Sequence, residues 1–331
     1  MAAQLDPEAQ ALLDVMQAAG APQPHTLAVP AAREQMRAAL VTRGEPLAVR
    51  EVRDLRLPSP HGPLPLRVYR PQGGTLPVAL FLHGGGWTLN DVDTHDRLCR
   101  RIARRSGWLV ASLDYRRAPE HRHPAPLIDA QTAYRWLRDN LGELDGEVSC
   151  SAVIGESAGA TTAAALTLLL RDAGAPLPSM QVLAYPVMDV PGRWPSYSER
   201  GRGYTLDEPQ IRWFFEQYLG SGHPLSDPEG VSDADAGAPV ADDPYLLPLT
   251  APDLSGLPPA LVMTAEFDPL RDEGVAYARR LAEAGVAVRH VHAEDQMHGF
   301  LLLDRGIARA GELIDTLGDA LAAHARVQAA A

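Results

Sequence analysis

Short apolar runs alternate with helical segments along most of this 331-residue chain, and this alternation restricts the fold more than any other feature. Runs such as 78–82 and 260–263 are continuously apolar, which is typical of strands buried on both faces of a parallel sheet. We predict eight strands, at roughly 49–57, 64–70, 77–82, 107–114, 148–154, 180–185, 259–265 and 286–293. A short turn-rich link joins the first two, which are expected to be antiparallel. The pattern predicts an α/β fold, with a mostly parallel eight-stranded sheet and helices on both faces.

Two segments stand outside this alternation. Residues 1–45 contain two helical stretches and no strand signal, and residues 190–245 contain an aromatic helix candidate followed by an acidic loop. An insertion placed outside a sheet commonly forms a lid or cap over the site. We therefore expect helical cap segments at 1–45 and 190–245, and an α/β core at 46–189 and 246–331.

The composition excludes several classes of function. The net charge of −12 argues against a nucleic-acid binder, which needs a basic surface to neutralise phosphates. All 30 basic residues are Arg, so chemistry that depends on lysine is excluded. The longest apolar run, 158–170, is too short to span a bilayer, and the first ten residues resemble no secretory signal. We expect a cytoplasmic protein without a membrane anchor.

Two charged clusters are interpreted as solvated surface. The acidic loop at 226–243 fails the calcium-loop pattern, because Gly237 stands at position five of a loop that begins with Asp233 at position one. The arginine cluster at 100–105 lies at the C-terminal end of a predicted helix, where cations suit the helix dipole. Cys99 and Cys150 are too few for a zinc site, so no metal is expected.

A G-x-S-x-G motif at 155–159 predicts a nucleophile. An apolar strand runs into the motif and a helix leaves it, which is the setting of a serine on a sharp, strained strand-to-helix turn. Such a turn exposes the Ser157 hydroxyl at the carboxyl edge of the sheet. The first N–H groups of the helix then face any anion that develops there.

The sequence His83-Gly84-Gly85-Gly86-Trp87 follows directly on a predicted strand. Three consecutive glycines allow a loop to turn its backbone N–H groups inward, toward the oxyanion of a tetrahedral intermediate. The position at the end of a strand, together with the serine motif, favours an oxyanion loop over a flexible glycine loop of no function.

These motifs resemble the hormone-sensitive-lipase-like group of α/β-hydrolases, the bacterial family IV esterases. The similarity extends over nearly the whole chain and is carried by HGGGW at 83–87, DYRRAPEHRHPAP at 114–126, GESAG at 155–159, YPVMD at 185–189, FDPLRDEG at 267–274 and HGF at 298–300. It implies an α/β-hydrolase fold with a helical cap, and a homodimer. By the same resemblance the N–H groups of Gly85, Gly86 and Ala158 form the oxyanion hole, and His83 organises the loop.

The chain departs from the family pattern at two positions. Glu156 stands where most relatives have Asp or Thr, and Arg117 stands where many have Leu. The larger carboxylate beside the serine changes local hydrogen bonding in a way that the sequence does not determine.

The remaining members of a triad follow from chain order, which in α/β-hydrolases is serine, acid, histidine. Asp268 is the first carboxylate beyond the strand that runs from Ala260 to Phe267, and it lies in the FDPLRDEG motif. His298 lies in the loop after the last strand, beside a flexible Gly299. The candidate triad is therefore Ser157, Asp268 and His298.

Other acids and histidines near these positions are weaker candidates. Two acids at the start of a helix are interpreted as solvated, a third lies inside a strand, and two histidines alternate along one strand face as packing or surface residues: Asp272, Glu273, Glu266, His290 and His292.

The leading hypothesis is a carboxylic-ester hydrolase that acts on small-molecule esters with short to medium acyl chains, without a metal or organic cofactor. Trp87, Trp213 and Phe214 are candidates for contact with the substrate, although cap aromatics equally well pack the cap together. An amidase, lactonase or deacetylase would use the same residues. A non-catalytic small-molecule receptor on the same fold is the alternative from another class.

Overall fold

The structure, a computed structural model, describes residues 3–38, 46–223, 225 and 243–330. Most of the acidic loop at 226–243, with Asp233 and Gly237, lies outside the described residues. The predicted boundary at residue 45 of the N-terminal arm also lies outside them.

Eight strands form a single sheet in the order β1-β2-β4-β3-β5-β6-β7-β8. Their bounds are β1 (Glu51–Leu57), β2 (Leu64–Arg70), β3 (Leu76–Leu82), β4 (Leu109–Leu113), β5 (Gly146–Glu156), β6 (Met180–Ala184), β7 (Ala260–Phe267) and β8 (Val288–Met297). Strand β2 is antiparallel to both of its neighbours, and every other pair is parallel. The predicted mostly parallel eight-stranded sheet is confirmed.

Nine helices of at least six residues surround the sheet in the described ranges. They are α1 (Pro7–Ala19), α2 (Val29–Ala38), α3 (Asp96–Ser106), α4 (Ala125–Asp139), α5 (Ala158–Asp172), α6 (Pro195–Arg200), α7 (Glu208–Leu219), α8 (Arg271–Glu283) and α9 (Ala308–Ala330). Helices α4, α5 and α8 share one apolar core with the sheet, whereas α3 and α9 share the other.

The central strands divide their side chains between the two cores. In β3, Val78, Leu80 and Leu82 belong to the core with α5, and Ala79 and Phe81 belong to the core with α3. Alternation along a strand directs successive side chains to opposite faces. Because both faces are covered by helices, both sets are apolar, which is why the strand has a continuous apolar sequence.

The segments predicted as caps contribute helices outside the sheet. In the N-terminal arm, Asp6 caps α1 through its carboxylate, Pro7 occupies the first helical position and Gly20 ends the helix in a left-handed conformation. Helices α6 and α7 come from the 190–245 insertion. Ala32 of α2 and Phe214 of α7 belong to one apolar cluster, which also contains Trp87 and Ala158. Both segments therefore pack over the same edge of the sheet.

The interpretation of the arginine cluster as solvated surface holds for Arg104 and Arg105, which are exposed, and is wrong for Arg101, which is partly buried. Arg101 donates to Asp304 and Asp315, and Arg105 donates through two nitrogens to Asp319. These acids precede or lie on α9, which packs beside α3. Arginines four residues apart on one helix meet carboxylates four residues apart on the other, because both helices share the same repeat.

Parallel order brings the motif loops together. Strands β3, β5, β7 and β8 point in the same direction, so their carboxyl ends lie at one edge of the sheet. The glycine loop follows β3, the serine follows β5, and the predicted acid and base follow β7 and β8. Open α/β sheets place their sites at this edge.

Candidate active site

Ser157 occupies the turn between β5 and α5 with φ 53° and ψ −128°, a conformation that is strained for a residue with a side chain. The turn is tight enough to require glycine on both sides of the serine. A Cβ on Gly155 would lie 2.2 Å from the Gly159 carbonyl oxygen, and a Cβ on Gly159 would lie 2.1 Å from the Leu82 carbonyl oxygen. The small residues of G-x-S-x-G therefore allow three segments of backbone to meet beneath the serine.

The three predicted triad residues form one hydrogen-bonded row. His298 Nε2 lies 3.0 Å from Ser157 Oγ, and His298 Nδ1 lies 2.8 Å from Asp268 Oδ2. Asp268 is completely buried, and its other oxygen accepts a hydrogen bond from the N–H of Leu270. The Thr205 hydroxyl donates to the His298 carbonyl and fixes the backbone that carries the imidazole. The structure thus brings together, at hydrogen-bonding distance, residues separated by up to 141 positions in the chain.

The glycine loop holds two peptide groups in a defined orientation. The Gly84 carbonyl lies 2.8 Å from His83 Nδ1, and the Gly85 carbonyl accepts from the N–H groups of Thr88 and Leu89. In a trans peptide the N–H points away from the carbonyl, so the N–H groups of Gly85 and Gly86 are directed away from these partners. Both glycines have positive φ, at 105° and 58°.

A third backbone donor belongs to Ala158. This residue begins α5, where the first N–H groups have no partner within the helix. Among the described residues, no hydrogen bond uses the N–H of Gly85, Gly86 or Ala158 as its donor. The three predicted oxyanion donors are available, and the dipole of α5 adds positive potential at Ala158.

His83 is buried beneath this loop. Its ring stacks on Tyr115 with centroids 4.1 Å apart, and the Tyr115 hydroxyl donates to the His83 carbonyl. Burial and the neighbouring His95 lower the pKa of His83 to about 3, so its imidazole is neutral at physiological pH. A neutral ring can donate from Nδ1 to the Gly84 carbonyl, as expected of a residue that organises the loop.

The three aromatic candidates for substrate contact have different surroundings. Phe214 covers the oxyanion loop so closely that a Cβ on Gly86 would lie 2.0 Å from its ring. Trp213 packs against Phe214, with ring centroids 5.2 Å apart. Trp87 is buried, stacks on Tyr218 at 4.3 Å and donates through its indole N–H to Thr162. Of the three, Phe214 is the one that contacts a predicted oxyanion glycine.

Sequence reasoning missed the burial of the Glu273 carboxylate. Glu273 is not a solvated acid at a helix start: it is completely buried, accepts from the Met188 N–H and lies 3.3 Å from the Tyr197 hydroxyl. Burial raises the pKa of Glu273 well above its usual value. The interpretation was wrong because α6, from the insertion, covers the first turn of α8, and no local pattern reports this long-range contact.

Glu156, whose hydrogen bonding the sequence does not determine, accepts hydrogen bonds from the Gly84 N–H and from His95 Nε2. The sequence indicates that Glu156 is buried, because this residue ends the central strand β5 between two residues of the serine motif. Asp272 accepts from the Ser196 N–H, and the histidines at 290 and 292 both bond to the Thr264 hydroxyl. These side chains hold neighbouring elements together.

The described ranges, 3–38, 46–223, 225 and 243–330, carry neither a candidate metal site nor a candidate membrane span. No group of three or more His, Cys, Asp or Glu side chains there is arranged to hold a metal ion. None of the helices there is long and apolar enough to cross a bilayer.

Comparison with known proteins places this geometry in a family. A family model for the α/β-hydrolase fold matches residues 79–302. The chain is 43% identical over 300 residues to carboxylic ester hydrolase LipN of Mycobacterium tuberculosis, covering 87% of this chain and 75% of that protein. It is 36% identical over 282 residues to an ethyl acetate hydrolase of Pseudomonas putida, covering 82% and 83%.

Solved structures agree with these sequence relatives. Ester hydrolase EH1AB1, from the metagenome of Lake Arreo and complexed with a bipyridine phosphonate derivative, has a TM-score of 0.89 and 37% identity, with coverage of 97% of this chain and 99% of that one. A thermostable esterase from Pseudomonas putida ECU1011 has a TM-score of 0.87 and 33% identity, with coverage of 97% and 98%. The chain therefore belongs to the α/β-hydrolase fold family, in its hormone-sensitive-lipase-like group.

Proposed function

We propose that this protein is a carboxylic-ester hydrolase in which Ser157 is the nucleophile, His298 the general base and Asp268 the residue that orients the base. The observation that carries the proposal is the row from Asp268 through His298 to Ser157, with distances of 2.8 and 3.0 Å, beside three unused backbone N–H groups. The relatives named as ester hydrolases support the class of reaction.

The proposed mechanism gives a role to each of these three side chains. With Nδ1–H donated to Asp268, the Nε2 atom of His298 accepts the proton of Ser157 as the hydroxyl attacks the ester carbonyl. The resulting oxyanion accepts hydrogen bonds from Gly85, Gly86 and Ala158. His298 then protonates the leaving alcohol, and a water molecule repeats the sequence on the acyl-enzyme to release the acid.

We further propose short to medium acyl esters as the substrates. Phe214 supports this, since its ring lies directly over an oxyanion glycine and limits the space beside the reacting carbonyl. Trp213 would extend this apolar wall, whereas Trp87 would pack the cap against the core. In this proposal, 1–45 and 190–245 act as the cap. The homodimer and the cytoplasmic location remain predictions from the sequence.

The test is a pre-steady-state burst with p-nitrophenyl butyrate and covalent labelling by a fluorophosphonate. Ser157→Ala should abolish the burst and the label and lower kcat by at least about 10⁴-fold. Ser198→Ala, which alters an exposed serine in α6, is the matched control and should match the wild type. A burst that survives in Ser157→Ala would refute the nucleophile assignment.

A substrate panel defines the reaction class. Esters from acetate to dodecanoate, compared with an amide and a lactone of equal acyl length, should show the highest kcat/KM for the shorter esters. An amide preference would favour the amidase alternative. Binding of an ester without any turnover would instead favour a non-catalytic receptor.

A further inference from the structure

The carboxylate of Glu156 connects two parts of the proposed site. Glu156 precedes the nucleophile and ends β5, and it accepts the N–H of Gly84, at the start of the oxyanion loop. The contact is so close that a Cβ on Gly84 would lie 2.1 Å from Glu156 Oε1. Glycine at this position therefore makes room for the carboxylate.

This hydrogen bond joins two chain segments just beyond the last paired residues of β3 and β5. Strands β3 and β5 are parallel neighbours, and their register ends at the pair of Leu82 and Gly155. The nucleophile and the oxyanion loop lie past that point, on two chain segments that leave the sheet separately. The bond from the Gly84 N–H to Glu156 joins these segments one step farther out.

The bond also fixes the first peptide of the loop from both of its ends. The carbonyl of His83 accepts from the Tyr115 hydroxyl at 2.7 Å, while the N–H of the same peptide group, on Gly84, donates to Glu156. The following peptide is held by His83 Nδ1. The orientation of the Gly85 N–H thus depends on a peptide that Glu156 restrains.

His95 contacts the same carboxylate oxygen, Oε1, that accepts the Gly84 N–H. Its Nε2 lies 2.9 Å from Glu156 Oε1, and its Nδ1 lies 2.9 Å from the Thr94 hydroxyl. Both His95 and Glu156 are buried, and a buried carboxylate needs such donors. Burial alone would raise the pKa of Glu156, but the hydrogen bond and charge of His95 and the Gly84 N–H hold the pKa below its usual value.

The network extends to the N-terminal arm. Thr94 donates through its N–H to Asp91, and Asp91 accepts from Arg37 Nε of α2 at 3.0 Å. Because Arg37 is half exposed, this last link is screened by solvent and contributes little. The buried pair at Glu156 and His95 is therefore the part of the network that can restrain the loop.

We propose that Glu156 and His95 are positioning residues that fix the oxyanion loop relative to the nucleophile. The inference rests on the proposed function, since it assigns the pair to the same reaction. Neither side chain needs to touch the substrate. Their effect is exerted on the tetrahedral intermediate, because the ester in its ground state makes little use of the oxyanion donors.

The first measurement is the division of the effect between kcat and KM for p-nitrophenyl butyrate. Glu156→Ala and His95→Phe should each lower kcat by about 10- to 100-fold, less than the loss of an entire donor, with KM within about threefold of the wild type. Glu156→Gln keeps an acceptor oxygen and should recover kcat to within about tenfold. Glu143→Ala, at an exposed glutamate, is the matched control.

The second measurement is the inhibition constant for a trifluoromethyl ketone of equal chain length, whose serine adduct carries an oxyanion. Its Ki should rise in both variants by about the same factor by which kcat/KM falls. The double variant should lose no more than about threefold beyond Glu156→Ala, because the two residues act through one bond to the loop. Thermal unfolding of each variant shows whether it is folded at the assay temperature.

Three results would overturn the inference: wild-type kcat in both single variants, an unchanged Ki despite a lower kcat, or losses that multiply in the double variant. If Glu156→Ala does not fold, Glu156→Gln and His95→Phe decide the question. Failure of the proposed function itself is distinguishable, since the wild type would then show neither burst nor serine labelling.

Discussion

The loops at the carboxyl edge of the sheet and the helices of the proposed cap that pack over them are held in different ways. The edge loops are held by buried hydrogen bonds, with distances of 2.8 Å between His298 and Asp268 and 2.8–3.1 Å at the Gly85 carbonyl. The cap is held by apolar packing and by arginines that bind backbone carbonyls. Arg33 of α2 donates to the carbonyls of Thr88 and Ala118 and forms a bidentate pair with Glu120.

Because of this difference, substitutions in the edge loops and in the cap should have different effects. Directional hydrogen bonds lose their value when a group shifts by a fraction of an ångström, whereas packed area tolerates substitution at a moderate cost. We therefore expect changes at the edge loops to lower kcat steeply, and changes in the cap to act mainly on stability.

The largest expected effect is at the edge. Asp268→Asn should lower kcat by about 10³- to 10⁴-fold, because an amide can donate to His298 Nδ1 and hold the imidazole in the wrong tautomer. Steady-state kinetics with p-nitrophenyl butyrate measure this loss. Asp272→Asn, at the neighbouring acid in the first turn of α8, is the control and should stay within about threefold of the wild type. Equal losses in the two variants would contradict the assignment of the acid.

The second prediction concerns the contact between edge and cap. Gly86→Ala should lower kcat by about 100- to 1000-fold, since the added methyl overlaps the Phe214 ring and displaces the loop that supplies the donors. Gly174→Ala is matched to it, because Gly174 has a similar φ of +60° and no atoms near the new Cβ. It should cost only the backbone strain, about 1 kcal/mol of stability, with normal kcat. A normal kcat in Gly86→Ala would show that this glycine is dispensable.

The third prediction tests the cap. Arg33→Ala leaves the carbonyls of Thr88 and Ala118 without this donor, so we expect a loss of about 1–3 kcal/mol of unfolding free energy. That corresponds to a decrease in Tm of about 2–4 °C per kcal/mol, measured by calorimetry. Arg37→Ala, at a half-exposed arginine of the same helix, should lose less than about 1 kcal/mol. If Arg33→Ala lowered kcat as much as Asp268→Asn does, the expectation that the cap acts mainly on stability would be contradicted.

The smallest effect concerns Glu273, which links the core at Met188 to the cap at Tyr197. Burial raises the pKa of Glu273, reinforced by the charges of Asp189 and Asp268. The folded protein therefore keeps a proton on Glu273 at pH values at which the unfolded chain, with a glutamate pKa of about 4.3, has lost it. The free energy of unfolding falls as the pH rises from about 4.3 toward the raised pKa of the folded state. Glu273→Gln replaces this carboxyl with an amide that does not titrate.

The Tm of Glu273→Gln should accordingly exceed that of the wild type by an amount that grows between pH 5 and pH 8, reaching about 2–4 °C if 1 kcal/mol is recovered. Thermal melts at several pH values measure this difference, with Glu143→Gln as the exposed control. A difference that stays constant with pH would show that Glu273 does not titrate in this window.

Much of the sheet edge could be predicted because its information is local. Apolar patterning and turn residues indicated the eight strands, and the residues after four of them named the candidate nucleophile, acid, base and glycine loop. Parallel order then required these loops to meet. The geometry of the glycines has the same local origin, since only glycine adopts the positive φ of the oxyanion loop without strain.

The contacts of charged residues that sequence reasoning missed are long-range. Glu273 is buried by a helix from the insertion, and Arg101 is neutralised by acids more than 200 residues away. A charged residue has the same local pattern whether it faces solvent or a distant partner. Its environment is decided by packing between elements, which periodicity does not report.

The sequence by itself determined the fold class and the identity of the candidate site residues, because hydrophobic periodicity and glycine conformation are properties of short segments. Only the tertiary structure decided how these residues are held: Glu156 against Gly84, Phe214 over Gly86, and Arg33 on the carbonyls of Thr88 and Ala118. These contacts join segments that are remote in the chain, and their energies depend on distances and burial that exist only once the sheet and cap have packed.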